Sequence, residues 1–347
     1  MKMEFNRQDC NILKGMAIVC IFLHNFCHLL SFAPVENEYS WTIDKTWAFI
    51  GNISCNFFVS LFSFLGHYGV AVFVFLSGYG LVRKYGIIKE IDIKEFIFNH
   101  YLKLFKLMFP GFVLYYALHR ILYEDYDGIT LLRLVSQMLF VNNLIPTEIS
   151  SIVPGPYWYF GLTMQLYLLF LLLNNCSFIK QCCFILCCVF ALLFSKDHHY
   201  MTVWLKYNFV GSIIPFVLGG CMAKYKEIFD FSKNNFIWGI VSIVSLVFLF
   251  LSEFSFYTWI FASVFALCFS ICTAKLFNRF FCSFFSSIGR VAHLIFVIHP
   301  IVRTLVFYLQ NEFLLKWQLG IVLYAVLTLC FSLLLSYFTS GIKIIRQ

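Results

Sequence analysis

Apolar runs of membrane-crossing length recur from residue 12 to residue 340, and they leave such a chain few folds to choose from. A helix needs about 20 apolar residues to bridge the hydrocarbon layer, with every backbone polar group satisfied inside the segment. Candidate helices fall near 12–32, 64–82, 104–123, 157–175, 178–195, 208–223, 236–252, 256–276, 290–310 and 319–340. The expected fold is therefore all-α, a polytopic membrane helix bundle of about ten transmembrane helices, with residues 1–347 as one integral membrane domain. Thr130 to Leu144 is a further apolar, partly amphipathic stretch suited to an interfacial or re-entrant position. A mean hydropathy of +0.84 and only 12% charged residues leave no stretch polar enough for a separate soluble domain.

Lys and Arg counted by side give the orientation. With the amino terminus inside, eighteen fall on the inner side and seven on the outer, so the positive-inside bias predicts that both termini are cytoplasmic. The outer loops then hold the acids Glu36, Glu38, Asp44, Glu124, Asp125, Asp127, Glu148 and Asp197. The net charge of +8 is spread over short loops rather than gathered on a soluble face, which argues against a nucleic-acid partner. Most of the 14 Cys lie inside apolar runs without His at zinc spacing, so they read as small hydrophobes rather than metal ligands, and no metal is expected. Met1 to Lys14 mixes acids with bases and no small-residue cleavage site follows, so the first helix is expected to stay. Helix-length runs exclude an outer-membrane barrel and point to a cell inner or plasma membrane.

Chemistry is signalled by polar residues inside these spans. Leu13 to Leu30 carries His24, Asn25 and His28, and ionisable groups in a spanning helix are costly enough that they mark a pathway or a site. His is also the side chain best able to move a proton near neutral pH. At about 100° and 1.5 Å per residue, Lys14 and His24 lie about 15 Å apart along the axis, and Lys14, Asn25, His28 and His24 share one sector. Neutral histidines bonded to neighbouring helices are the structural alternative. Gly66-His67-Tyr68-Gly69 leads into Leu76-Ser77-Gly78-Tyr79, whose small residues let a helix or a ligand approach closely.

Arg83, Lys84, Lys89, Lys94, Lys103 and Lys106 form a basic inner loop and helix start. Membrane anchoring accounts for much of it, but clustered cations also suit a phosphorylated cofactor. Ser287-Ile288-Gly289-Arg290 is expected to open the ninth helix, with His299-Pro300 near mid-membrane and Arg303 beyond, either as a kink with a satisfied His or as a functional site.

Lys14-Gly15-Met16-Ala17-Ile18 with His24, Gly69-Val70 with Phe73 and Ser77-Gly78-Tyr79, Lys103 and Lys106 ahead of Pro110, and Ile288-Gly289-Arg290 with His299-Pro300 occur in one order. In that order they resemble the membrane-bound acyltransferase-3 family over nearly the whole chain. Trp158 to Phe170 also looks like that family's Trp-led helix, although Thr163 or Met164 stands where many members carry Glu.

The resemblance implies that residues 1–347 are an integral membrane acyltransferase domain. It implies transfer of an acyl group, usually acetyl, from cytosolic acetyl-CoA or another acyl-CoA to a sugar hydroxyl of a polysaccharide across the membrane. The donor is a substrate, and no tightly bound cofactor is expected; acyl-CoA, the extracytoplasmic sugar and membrane lipid are the expected partners. By residue type Lys14 would serve the donor and His24 the proton transfer, with Asn25, His28, Ser77 and His299 as alternative or supporting groups. Arg83, Lys103, Lys106 and Arg290 would join Lys14 around the donor. Many members set Arg and His eleven positions apart, whereas here that position counted from Lys14 is Asn25. The competing classes are a transporter or flippase using intramembrane histidines, and a catalytically inactive relative serving as an interaction subunit.

Overall fold

The computed structural model describes residues 5–86, 90–123, 130–146, 152–174, 176–225, 235–277 and 279–344. Of the residues weighed above, Lys89, Glu124, Asp125, Asp127 and Glu148 lie outside that set. Among the described residues the ordered structure is helical throughout, with no strand. Among the described residues eight helical stretches are long and apolar enough to cross a membrane, and two shorter apolar helices, Phe178–Phe194 and Ala262–Leu276, bring the total to the ten expected from hydropathy.

Helix α1 (Arg7–Cys27) is fixed at its start by a capping box: Asn6 Oδ1 accepts from the Asp9 amide at 2.8 Å, and the Asp9 carboxylate accepts from the Asn6 amide at 3.1 Å. Its 21 residues reach about 31 Å, enough to cross the hydrocarbon layer. The helix ends five residues before Phe32, the expected boundary, so His28 is its C-cap rather than an interior residue. Helix α2 (Ile43–Ile53) lies in the connection to the next span. That span is interrupted: α3 (Phe57–Leu65) and α4 (Gly69–Tyr85) are joined by a 3₁₀ turn at Gly66–Tyr68, and together they exceed the expected 64–82.

Helix α5 (Ile93–Leu122) is capped by Asp92 and carries Pro110 within it. The Thr130–Leu144 stretch resolves into the short amphipathic α6 (Leu131–Met138) and a 3₁₀ turn at Asn142–Leu144. Then follow α7 (Trp158–Leu173), α8 (Phe178–Phe194), and α9 (His199–Tyr207) leading into α10 (Phe209–Lys224). The chain continues through α11 (Asn235–Ser252), α12 (Phe256–Trp259) and α13 (Ala262–Leu276). One boundary expectation fails here. Ser287 to Arg290 closes the separate amphipathic helix α14 (Arg279–Arg290), and the ninth span is α15 (Ala292–Phe313), with α16 (Trp317–Ile344) after it.

Helix α1 lies against α3, α4, α13, α14, α15 and α16, so its polar sector can face only spaces inside the bundle. Close packing there depends on glycine: a Cβ on Gly289 of α14 would meet the Asn11 carbonyl of α1 at 1.8 Å. By contrast α11 leaves Phe236, Ile243, Val247 and Leu251 exposed, an outer face suited to lipid.

The segment from Leu29 to Thr42 folds back over the end of α1. Glu253, immediately after α11, holds it there: Asn37 Nδ2 donates to the Glu253 carboxylate at 3.0 Å, and Thr46 Oγ1 and Trp41 Nε1 each donate to its carbonyl at 2.9 Å. The Tyr68 hydroxyl donates to the other carboxylate oxygen, and Trp259 Nε1 donates to the Asn37 carbonyl at 2.6 Å.

Candidate functional site

Two cavities lie along α1, and their linings differ in chemistry. The first, of about 310 Å³, is lined by His24, Asn25 and His28 of α1 together with Glu36, Glu38 and Tyr39 from the folded-back segment. His67, Trp158, Tyr207 and Arg303 complete its polar and aromatic wall. The second, of about 640 Å³, is lined by four cations, Arg7, Lys14, Lys103 and Arg290, with Ser77, Thr163 and His293. Ile21, Val70, Tyr159 and Phe296 line both.

His24 is 2% exposed and held from two sides. Its Nδ1 lies 3.0 Å from the Ser63 carbonyl and 3.2 Å from that of Phe62, and since a carbonyl only accepts, Nδ1 carries the proton. In the neutral ring Nε2 is then the lone-pair nitrogen. It lies 3.2 Å from His28 Nδ1 and 3.5 Å from the Glu38 carboxylate. The two carbonyls belong to the end of α3, which approaches α1 closely because residue 66 has no side chain: a Cβ there would lie 2.8 Å from both His24 Cβ and the Cys20 carbonyl.

His67, in the 3₁₀ turn, stacks edge-on to His24 with ring centroids 5.5 Å apart, and its buried Nδ1 has no hydrogen-bond partner among the described groups. Glu36 lies 3.9 Å from His28, and burial pushes its carboxyl above the usual range, with the neighbouring Glu38 adding to the effect. Tyr39 stacks on Tyr207 at 3.7 Å, with Trp158 edge-on at 5.6 Å.

Donor atoms of His24, His28 and Glu36 lie within 4.8 Å of one another, a spacing at which they could hold a metal ion. The two histidine nitrogens are already paired with each other, so the cluster is also complete as a hydrogen-bonded unit.

The residues singled out in the sequence divide three ways. His24, Asn25 and His28 meet in the histidine chamber. Asn25 is a structural link there: it accepts from Arg303 Nη1 through its carbonyl at 3.0 Å and through Oδ1 at 3.2 Å, while its Nδ2 donates to the Ile21 carbonyl. Lys14, Ser77, Lys103 and Arg290 meet in the basic chamber.

Arg83, Lys106 and His299 join neither chamber. Arg83 lines a separate cavity with Lys224, between α4, α7 and α10. Lys103, Leu104 and Leu107 point into the basic chamber, and on a helix of about 100° per residue Lys106 is turned roughly 100° from their mean direction. His299 is fully buried, with Nδ1 3.1 Å from the Ile295 carbonyl of its own helix and Nε2 without a hydrogen-bond partner among the described residues.

Glu36, Glu38, His67 and Arg7, together with Tyr39, Trp158, Tyr207 and Arg303, were not anticipated as site residues. In sequence the acids are only outer-loop charges, and His67 stands between glycines suited to close helix packing.

The family model describing an acyltransferase domain matches residues 7–337. No curated protein and no solved structure gives a significant match.

Proposed function

The chain belongs to the acyltransferase-3 family, a family of membrane acyltransferases, and we propose that it carries an acyl group from acyl-CoA in the cytosol to a sugar hydroxyl on the far side of an inner or plasma membrane. The observation that carries the reading is the pairing of a cationic chamber with a histidine chamber across one shared wall. The positive-inside bias turns the cationic chamber toward the cytosol, where the nucleotide and phosphates of coenzyme A meet Arg7, Lys14, Lys103 and Arg290. The narrow pantetheine arm then extends along α1 toward His24. The acceptor enters the other chamber, where Tyr39, Tyr207 and Trp158 offer apolar ring faces to a sugar and Glu36 and Glu38 offer acceptors for its hydroxyls.

A sugar hydroxyl is a weak nucleophile at neutral pH, and His24 Nε2 is the group available to take its proton. The incoming hydroxyl replaces His28 as the partner of Nε2. As the proton moves to Nε2, the new C–O bond forms at the thioester carbonyl. The C–S bond then breaks, and the same proton passes from Nε2 to the departing thiolate, leaving ester and free coenzyme A. Glu38, 3.5 Å from Nε2, and the two carbonyls on Nδ1 stabilise the imidazolium while it exists. Transfer is direct, without an acyl-histidine. No step depends on a metal ion.

The test is transfer of label from radiolabelled acetyl-CoA into cell-surface glycan by the wild-type protein, His24→Ala and His28→Ala at matched expression. His24→Ala is expected to lose about 100-fold or more of the rate, the usual contribution of a general base, and His28→Ala to retain part of it. Full transfer by His24→Ala would overturn the assignment. Movement of unmodified sugar with no label in any sample would establish the transporter reading instead.

A further inference from the structure

Ile21, Val70, Tyr159 and Phe296 line both chambers, and we propose that they frame a neck between the two that sets the length of acyl chain the protein transfers. The inference rests on the acyl-transfer reading and adds to it the residues that choose among donors. Each wall comes from a different helix: Ile21 from α1, Val70 from α4, Tyr159 from α7 and Phe296 from α15. Each lines both cavities, so the four stand where the chambers adjoin, and on the acyl-transfer reading the thioester arm passes between them.

The neck is fixed rather than loose. Tyr159 and Phe296 meet edge to face, with centroids 5.3 Å apart and ring planes at 61°. Phe296 is backed by Phe160 at 5.6 Å and by His299 at 5.7 Å, which gives the buried His299 a place in the packing behind the neck. Thr163, one turn along α7, donates its hydroxyl to the Tyr159 carbonyl at 2.7 Å.

The depth of the neck sets where the thioester must stop. Ile21 precedes His24 by one turn, about 4.5 Å along the axis. A thioester carbonyl beside an acceptor bonded to His24 therefore leaves its sulfur and pantetheine arm in the neck, and the acyl tail has to project past the carbonyl. Ahead of it lies the histidine chamber of roughly 310 Å³, which must also hold the sugar. A methyl fits beside a sugar ring. A butyryl or longer chain must displace the sugar or fold back into a neck already filled by the arm.

An added methylene in a tight apolar site is discriminated by about 10–200-fold. The wild-type protein is thus expected to use acetyl-CoA at least tenfold better than butyryl-CoA and to reject octanoyl-CoA. The experiment measures transfer of each labelled acyl group to surface glycan by the wild-type protein, Phe296→Ala, Phe296→Leu and Ile21→Ala, with rates expressed as ratios to acetyl in the same preparation. Ile21→Ala, on the opposite helix, keeps the test decisive if Phe296→Ala does not accumulate in the membrane. A rise of about tenfold in the butyryl-to-acetyl ratio in the widened variants is the expected result. Wild-type transfer of acetyl with the ratio unchanged in every variant, or equal wild-type use of octanoyl-CoA, overturns the neck while leaving acyl transfer standing. Absence of every acyl product from the wild-type protein overturns the acyl-transfer reading and the neck with it.

Discussion

Gly66→Ala tests whether His24 is placed by the approach of the 3₁₀ turn to α1. The added methyl would lie 2.8 Å from both His24 Cβ and the Cys20 carbonyl, where ordinary contacts begin near 3.4 Å, so the backbone must retreat by more than half an ångström. The obstacles are backbone and Cβ atoms of a buried helix and cannot rotate away. Overpacking of this kind costs about 1–3 kcal/mol. The retreat also moves the two carbonyls at the end of α3. The Phe62 bond, already 3.2 Å, passes beyond hydrogen-bond range first, and the Ser63 bond at 3.0 Å lengthens toward the limit. With Nδ1 unpinned, the ring can exchange its two nitrogens between donor and base, and the rate falls with the share of productive tautomer. Gly80→Ala, in the same span with nothing within 4 Å of the added carbon, is the matched control. Thermal unfolding in detergent and acetyl transfer are measured together. Gly66→Ala is expected to lower both, and Gly80→Ala neither. A Gly66→Ala protein with wild-type melting and wild-type turnover would refute the reasoning.

Lys14→Gln, Lys103→Gln and Arg290→Gln should each raise the KM for acyl-CoA by roughly tenfold or more, the effect of losing one charge-assisted bond of about 1.5–3 kcal/mol, with a smaller change in kcat. Lys106→Gln should change neither, because its side chain is turned away from the basic chamber, and initial rates across a donor titration distinguish the two patterns. Glu253 gives a pH prediction. Burial raises its carboxyl pKa from 4.5 to about 7, against the opposing hydrogen bonds from Tyr68 and Asn37 and the charges of Lys206 and Lys45. Between those values the folded protein binds the proton that the unfolded chain has released, so stability falls as pH rises from about 4.5 to about 7. The full span is worth about 3 kcal/mol. Glu253→Gln should flatten that part of the stability profile, and melting temperatures recorded from pH 4.5 to 8 would expose an unaltered slope.

The bundle and half of the site were legible from sequence because they rest on local spacing. Hydropathy sets span number through segment length alone, and the polar sector of α1 follows from helix periodicity, which is why His24, Asn25 and His28 appear together in one chamber. Boundaries were less legible. The break at Gly66–Tyr68 and the separation of α14 from α15 at Val291 occur inside apolar sequence that hydropathy treats as continuous. Glu36 and Glu38 were legible only as loop charges because their place depends on a partner, Glu253, that lies 216 residues beyond Asn37. Nothing in the local pattern of Glu36-Asn37-Glu38 says that Asn37 will be bonded to the end of α11 and will carry its acidic neighbours over α1. Arg83 and Lys106 show the converse error: cations near helix ends look alike in sequence, and the azimuth of the side chain decides which of them faces a cavity.

The one-residue offset between Lys14 and His24 has a physical explanation in Arg303. On the helical wheel Ile21 and Asn25 fall within about 20° of Lys14, so one face of α1 runs from the basic chamber through the neck to residue 25. In this chain that face ends on a cation, since Arg303 donates to both oxygens of Asn25 at 3.0 and 3.2 Å. A histidine at residue 25 would have to form its imidazolium directly against the guanidinium, and like charges at that distance disfavour the protonated state that a general base must pass through. Residue 24 lies about 80° around the helix from Lys14, facing the Phe62 and Ser63 carbonyls and Glu38, which favour that same state. On the proposed reaction Lys14 and His24 need not share a face, because the donor phosphates and the acceptor hydroxyl would occupy different chambers and only the thioester would pass between them. The asparagine at the family-spaced position ties α15 to α1, and the histidine beside it is the one whose surroundings suit a base.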